Sequence, residues 1–126
     1  MSGLQLAALL VVYAVVGTVG LIMMKRGLPA DLSIFPLSFE SVLRFSQRCM
    51  NLLVIVGFIC YAGSFALSLV ILAVRPLSFA YPLMGAVAYV AALVAAIVVL
   101  GERVTPVGAI GVVLIGVGIV LVARTP

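Results

Sequence analysis

The run LLVIVGFICYAGSFALSLVILAV (residues 52–74), the break Arg75-Pro76 and the run LSFAYPLMGAVAYVAALVAAIVVL (residues 77–100) decide the fold. Neither run holds an Asp, Glu, Lys, Arg or His. A hydrocarbon core of about 30 Å takes roughly 20 helical residues to cross, and each run has about that length. The runs are continuous rather than alternating, and too long for core strands, which argues against both a soluble sheet and a closed membrane barrel. Working outward, Gly3–Met24 and Thr105–Ala123 are likewise free of ionisable side chains. With 67% hydrophobic and 8% charged residues, a chain of 126 residues has too little polar surface to cover a soluble fold.

The expectation is an all-α membrane protein forming one domain over residues 1–126, with four transmembrane helices at about 3–24, 52–74, 77–100 and 105–123. Lys25, Arg26, Gly27 and Pro29 stop the first helix, Arg75-Pro76 separates the second from the third, and Gly101-Glu102-Arg103 closes the third before Thr105-Pro106 opens the fourth. Loops this short force the last three helices to run antiparallel to their neighbours. The first span lacks a basic segment before Gly3 and exceeds an ordinary signal-peptide core, so it reads as a retained helix.

The long connection from Gly27 to Asn51 differs. After an extended Pro29–Pro36 stretch, Phe39, Val42, Leu43, Ser46 and Met50 recur at helical spacing, while Glu40, Ser41, Arg44, Gln47 and Arg48 fall largely opposite. With Ser38 as N-cap and Glu40–Arg44 as an i,i+4 pair, this predicts a short amphipathic helix at about 38–48 lying in the membrane interface. Arg44 and Arg48 would then lie at headgroup level, as anchors or as contacts to an anionic lipid.

Small residues mark faces for close packing. Gly85, Ala88, Ala92 and Ala95 form a stripe on the third span that Tyr81 extends by one turn, and Gly108, Gly111, Ile115 and Gly118 form another on the fourth. Four short helices enclose little space, so a path for a solute is expected between two chains, in a homodimer or with a related small membrane subunit. The formal net charge of +4 is a loop excess at an anionic membrane surface, not a nucleic-acid footprint. Cys49 and Cys60 give neither a disulfide pair nor metal-ligand spacing. With no nucleophile–base pair in the spans, an enzyme is not expected, nor is a cofactor or a metal.

Ala80-Tyr81-Pro82-Leu83, Leu100-Gly101-Glu102-Arg103-Val104 and Gly111-Val-Val-Leu-Ile-Gly-Val-Gly118 resemble the small multidrug resistance proteins of the drug/metabolite transporter superfamily. Ala14-Val-Val-Gly17-Thr18 followed by Met24-Lys25 resembles their first helix. The resemblance implies the small multidrug resistance-like four-helix bundle. One departure is informative: exporters of that family carry a glutamate in the first helix, and the matching position here is Ala14, beside Tyr13. A carboxylate inside the bilayer is costly and is retained where it performs a function, so its absence argues against proton-driven cation export. The aminoarabinose-phosphoundecaprenol flippase subunits of the superfamily also lack it and share the Ala-Tyr-Pro signature. The resemblance therefore implies transport of a polyprenyl-phosphate-linked sugar across a bacterial inner membrane.

Such a cargo can leave its tail in lipid while only its head needs a polar route. Lys25, Arg26 and Arg75, with Arg44 or Arg48, are candidates to meet phosphate at the helix ends, each also being an ordinary boundary cation. Arg75 is the first choice, since it precedes Pro76 and lies within two helical turns of Tyr81. Within the spans the polar groups are Tyr13, Thr18, Tyr61, Ser64, Ser68, Ser78, Tyr81 and Tyr89. The hydroxyls of Ser and Thr are expected to bond a carbonyl one turn earlier, which leaves Tyr13 and Tyr89 as the deeper candidates for the path. Lys25, Arg26, Arg44, Arg48 and Arg103 fall on one side of the membrane and Arg75 and Arg124 on the other, so both termini are expected in the periplasm. Two other readings stand beside the flippase: a small-solute exporter with a different coupling group, and a non-transporting subunit of a membrane glycosylation complex.

Overall fold

The computed structural model describes residues 2–28 and 38–124 and is all-helical over them. Five helices follow one another: α1 (Gly3–Gly27), α2 (Phe39–Cys49), α3 (Leu52–Val74), α4 (Leu77–Leu100) and α5 (Pro106–Arg124). The Pro29–Pro36 stretch lies outside the described residues. Three helices, α1, α3 and α4, are long and apolar enough to cross a membrane, consistent with a multi-pass membrane protein. α5 is apolar but shorter.

The helix ends follow from local chemistry. Ser2 opens α1 with a capping box, its hydroxyl accepting from the Gln5 amide while the Gln5 side chain accepts from the Ser2 amide at 2.9 Å. Ser38 and Asn51 cap α2 and α3 through their side chains. α1 continues past its expected stop, through Lys25 and Arg26 to Gly27. Lys and Arg are good helix formers and favoured in a last turn, so the helix ends only where Leu28 takes extended geometry before Pro29. Gly101 closes α4 in the left-handed region (φ 66°), where a side chain would be strained. The Glu102 amide then returns to the Ala96 carbonyl at 3.0 Å.

α1 is the axis of the bundle, packed chiefly on α3 and secondarily on α4, while α5 touches α4. The α1–α3 seam runs antiparallel: Gly27 faces Val54, Gly20 faces Gly57 and Tyr61, and Gly17 faces Ser64. The backbones approach so closely that a Cβ on Gly20 would lie 2.6 Å from the Gly57 carbonyl oxygen, and a Cβ on Gly57 2.6 Å from that of Gly20. At the other end, Leu6 and Leu10 of α1 meet Ile71 of α3 and Ala80 and Met84 of α4 in the apolar core. Lys25 and Arg26 meet Glu102 and the Val99 carbonyl, so α4 runs parallel to α1.

Candidate functional site

Midway along α1, where about 18 Å of helix lies on either side of Val15, the three central helices part around a cavity. It has a volume of about 200 Å³ and is lined by Tyr13, Ala14, Gly17, Thr18 and Leu21 of α1, Tyr61, Ser64, Phe65 and Ser68 of α3, and Ala88 and Ala92 of α4. The seam explains the opening. Glycine pairing holds α1 against α3, and the small Ala88 and Ala92 on α4 leave space where larger residues would fill it. Tyr61 and Phe65, 48% and 62% exposed, form an aromatic rim to the outside.

The lining carries no charge but five hydroxyls: those of Tyr13, Thr18, Tyr61, Ser64 and Ser68. Ser68 donates to the Phe65 carbonyl at 2.6 Å, the one-turn-back bond expected of a serine in an apolar helix. Ser64 departs from that expectation. Its hydroxyl crosses to α1 and donates to the Tyr13 carbonyl at 2.9 Å, because Gly17 leaves room where a Cβ would stand 2.7 Å from the Ser64 oxygen. Both serines are buried.

Ala14, only 4% exposed, belongs to this cavity and also to a second hollow. The second is a groove of about 400 Å³ lined by Val11, Ala14, Val15, Ala86, Val87, Val90 and Ala91, apolar side chains throughout. A hydroxyl-lined pocket and an aliphatic groove thus share one small residue as their wall. A carboxylate in place of Ala14 would stand in both.

The ends of the cavity region are closed by unlike chemistry. Toward the N-terminus of α1, Tyr13 packs on the Leu6, Leu10, Ile71, Ala80 and Met84 core. Toward its C-terminus, Lys25 forms an ion pair with Glu102, and Arg26 donates to the Val99 carbonyl at 3.0 Å. These contacts tie the last turn of α1 to the end of α4.

Of the residues singled out from the sequence for the path, the glutamate position of the family comparison or close packing, the cavity takes Tyr13, Ala14, Ala88 and Ala92. Tyr81 is 70% exposed and lies with Leu77, Ser78 and Pro82 around a separate hollow at the start of α4, where Pro82 removes the amide that would bond the Ser78 carbonyl. Tyr89 is 43% exposed and outside the cavity lining. Arg75 caps the end of α3, and Arg44 pairs with Glu40 on α2 at 3.7 Å, with Arg48 one turn further on. The cations therefore stay out of the cavity lining, away from its hydroxyls. Gly85, Gly111 and Gly118 have open space above them in the single chain, and Gly108 meets only its own turn at Thr105 and Val104.

Sequence reasoning missed that Thr18, Tyr61, Ser64 and Ser68 share one cavity, and that the intrachain seam lies on α1 and α3. The signals were present in Gly17 and Gly20 on one helix and in Gly57, Ser64 and Ser68 on the other, small residues at intervals that recur on one helical face. Comparison of the chain with protein-family models, with curated proteins and with solved structures finds no match.

Proposed function

We propose that the chain is a four-span transporter of the inner membrane that moves a polyprenyl-phosphate-linked sugar from one leaflet to the other. The observation that carries this reading is the placement of Ala14, midway along α1, between a hydroxyl-lined cavity and an aliphatic groove. A lipid-linked sugar needs such a pair of surfaces: hydroxyls to replace the water around the sugar, and an apolar track for the isoprenoid tail. Tyr13, Thr18 and Tyr61 exchange hydrogen bonds with sugar hydroxyls, while Val11, Val15, Val87 and Val90 line the track.

The phosphate sets the further requirement. A bare anion in this interior would be strongly disfavoured, and the cavity supplies no cation. Lys25 and Arg26 meet the phosphate at one end and Arg75, with Tyr81, at the other. Between those ends the path runs between two chains, so the reading includes a dimer; a second copy brings no charge into the spans and leaves the phosphate to the cations at the helix ends, whereas a related small subunit can supply a compensating charge between them. α5 serves as the fourth span: its 19 residues cover about 28 Å, and Arg124 reaches the headgroups from its end. With the cation-rich ends of α1 and α4 in the cytoplasm, both termini are periplasmic.

The aromatic side chains of the lining, Tyr13, Tyr61 and Phe65, favour a second reading, an exporter of organic cations held by cation–π contact. Reconstituted vesicles separate the two. Leaflet exchange of undecaprenyl-phosphate-linked sugar should accelerate over empty vesicles and fall several-fold when Ala88→Leu and Ala92→Leu fill the cavity. No acceleration, alone or with a related subunit, overturns the flippase reading. Movement of a cationic solute with a proton flux, and no effect of the lipid, establishes the other.

A further inference from the structure

The helix between the first two spans is built for a different partner from the cargo. At about 100° per residue, α2 divides into two arcs. Phe39, Val42, Leu43 and Phe45 fall in one, with Cys49 and Ser46 between them and Met50 continuing the arc past the helix end. Gln47, Glu40, Arg44, Arg48 and Ser41 fill the other. No residue of α2 is buried, and its apolar face is largely open: Phe39 is 80% exposed, Val42 49% and Leu43 46%, with Met50 just past the helix at 74%, while Phe45 and Cys49 are half-buried. A helix so divided and unburied would leave its apolar face in water, were it not lying on a membrane.

Chain geometry places it there. Only Met50 and Asn51 separate Cys49 from the first residue of α3, a helix long and apolar enough to span. The three backbone steps from Cys49 to Leu52 reach at most about 10 Å, comparable with the thickness of the headgroup layer. The end of α2 is therefore held at the boundary where the hydrocarbon begins. Ser38 caps the other end, its hydroxyl accepting from the Ser41 amide, so the helix is defined at both termini and lies as a short rod.

The polar arc selects the lipid. Glu40 and Arg44 pair at 3.7 Å, both side chains largely exposed, and Arg48, one turn on, has no ion-pair partner among the described residues. The arc thus carries a net positive charge, with a guanidinium placed to bond phosphodiester oxygens. Lys25, Arg26 and Arg103 lie at the ends of α1 and α4 that face the same side as α2. We infer that α2 is an in-plane helix that binds anionic phospholipid headgroups through Arg44 and Arg48 while its Phe39–Val42–Leu43–Phe45 face enters the acyl boundary. This binding is independent of whichever solute the central cavity carries.

The test uses the full-length chain in phosphatidylcholine vesicles, with and without phosphatidylglycerol. An environment-sensitive fluorophore is placed at Val42→Cys or Gln47→Cys in a Cys49→Ser/Cys60→Ser background, and separately at native Cys49 with only Cys60 replaced. The Val42 and Cys49 labels should be blue-shifted and quenched by brominated lipid chains, and the Gln47 label several-fold more accessible to aqueous iodide. Phosphatidylglycerol should deepen the Val42 label, and this increment should vanish in Arg44→Gln/Arg48→Gln or at high salt. Equal quenching at Val42 and Gln47 overturns the in-plane placement. An increment that survives the double arginine substitution overturns the headgroup recognition, as does a lipid-insensitive label that becomes shielded only when a second protein binds.

Discussion

The seam between α1 and α3 and the flank formed by α4 and α5 are made of the same few residue types, yet they behave oppositely. On the seam, Gly20 and Gly57 bring backbones to contact and Ser64 bonds across to the Tyr13 carbonyl. On the flank, Gly85, Gly111, Gly116 and Gly118 have nothing within 4 Å of where a Cβ would stand, and Val98 and Val107 are 75% and 79% exposed. A glycine stripe therefore announces a surface that can be approached closely, without saying by what. In this chain one stripe is used internally to fix a rigid pair of helices, and the other is left for lipid or for another chain. The cavity lies where the two regimes meet, with walls from the fixed pair and a third wall of Ala88 and Ala92 from the looser helix.

The strongest way to break the comparison is to place the same side chain on both stripes. Gly57→Val, aimed at the Gly20 carbonyl and the Met24 backbone, should destabilise the folded chain by about 3 kcal/mol. Gly111→Val, in open space, should change it by no more than about 0.5 kcal/mol. Unfolding by denaturing detergent from mild micelles, under conditions that keep the chain monomeric, measures both. Equal losses would mean that the flank is as tightly held as the seam. If α5 meets a second copy, Gly111→Val should instead weaken association at unchanged monomer stability.

A smaller effect sharpens what the seam contributes to the site. Ser64→Ala removes the hydrogen bond to the Tyr13 carbonyl, which its helical position already provides with an i+4 partner, so no orphaned acceptor is left behind. The expected cost is about 1 kcal/mol, at the modest level of hydrogen bonds between membrane helices. Ser68→Ala breaks only a bond within α3 and should cost less. If the two substitutions are equal, the crossing bond adds nothing to the pairing of α1 with α3.

Much of this architecture was legible because charge exclusion is a one-dimensional signal. The limits of α3 and α4 fall where Arg75-Pro76 and Gly101 place them, and those of α2 and α5 lie within one residue of expectation. α1 overran because Lys25 and Arg26 read as a stop, while both are good helix formers favoured in a last turn and the chain leaves the helix only at Leu28, before Pro29. The cavity was partly legible: Tyr13 was singled out, but Thr18, Tyr61, Ser64 and Ser68 converge only after α1 and α3 are set antiparallel with Gly17 opposite Ser64. Sequence spacing gives the face of a helix; it does not give which of two glycine-bearing helices that face meets. For the same reason the stripes on the last two helices could be found and their partner could not.

The smallest expected effect lies at the ion pair between the two regimes. Lys25 and Glu102 join the fixed pair to the end of α4, but their side chains are 58% and 44% exposed, so water and salt weaken the attraction. A double-mutant cycle of Lys25→Gln and Glu102→Gln should give a coupling below about 1 kcal/mol at low salt, shrinking as ionic strength rises. Weakness here is consistent with a tie that must open. A strong pair would lock that end of the proposed path, whereas a weak one can yield Lys25 to an arriving phosphate and release Glu102 with α4. The single substitutions then predict opposite shifts in phosphate-lipid binding: weaker for Lys25→Gln, which loses a cation, and tighter for Glu102→Gln, which frees one. Equal loss in both would make the pair a plain fastener, with α4 held as firmly at that end as α3 is along the glycine seam.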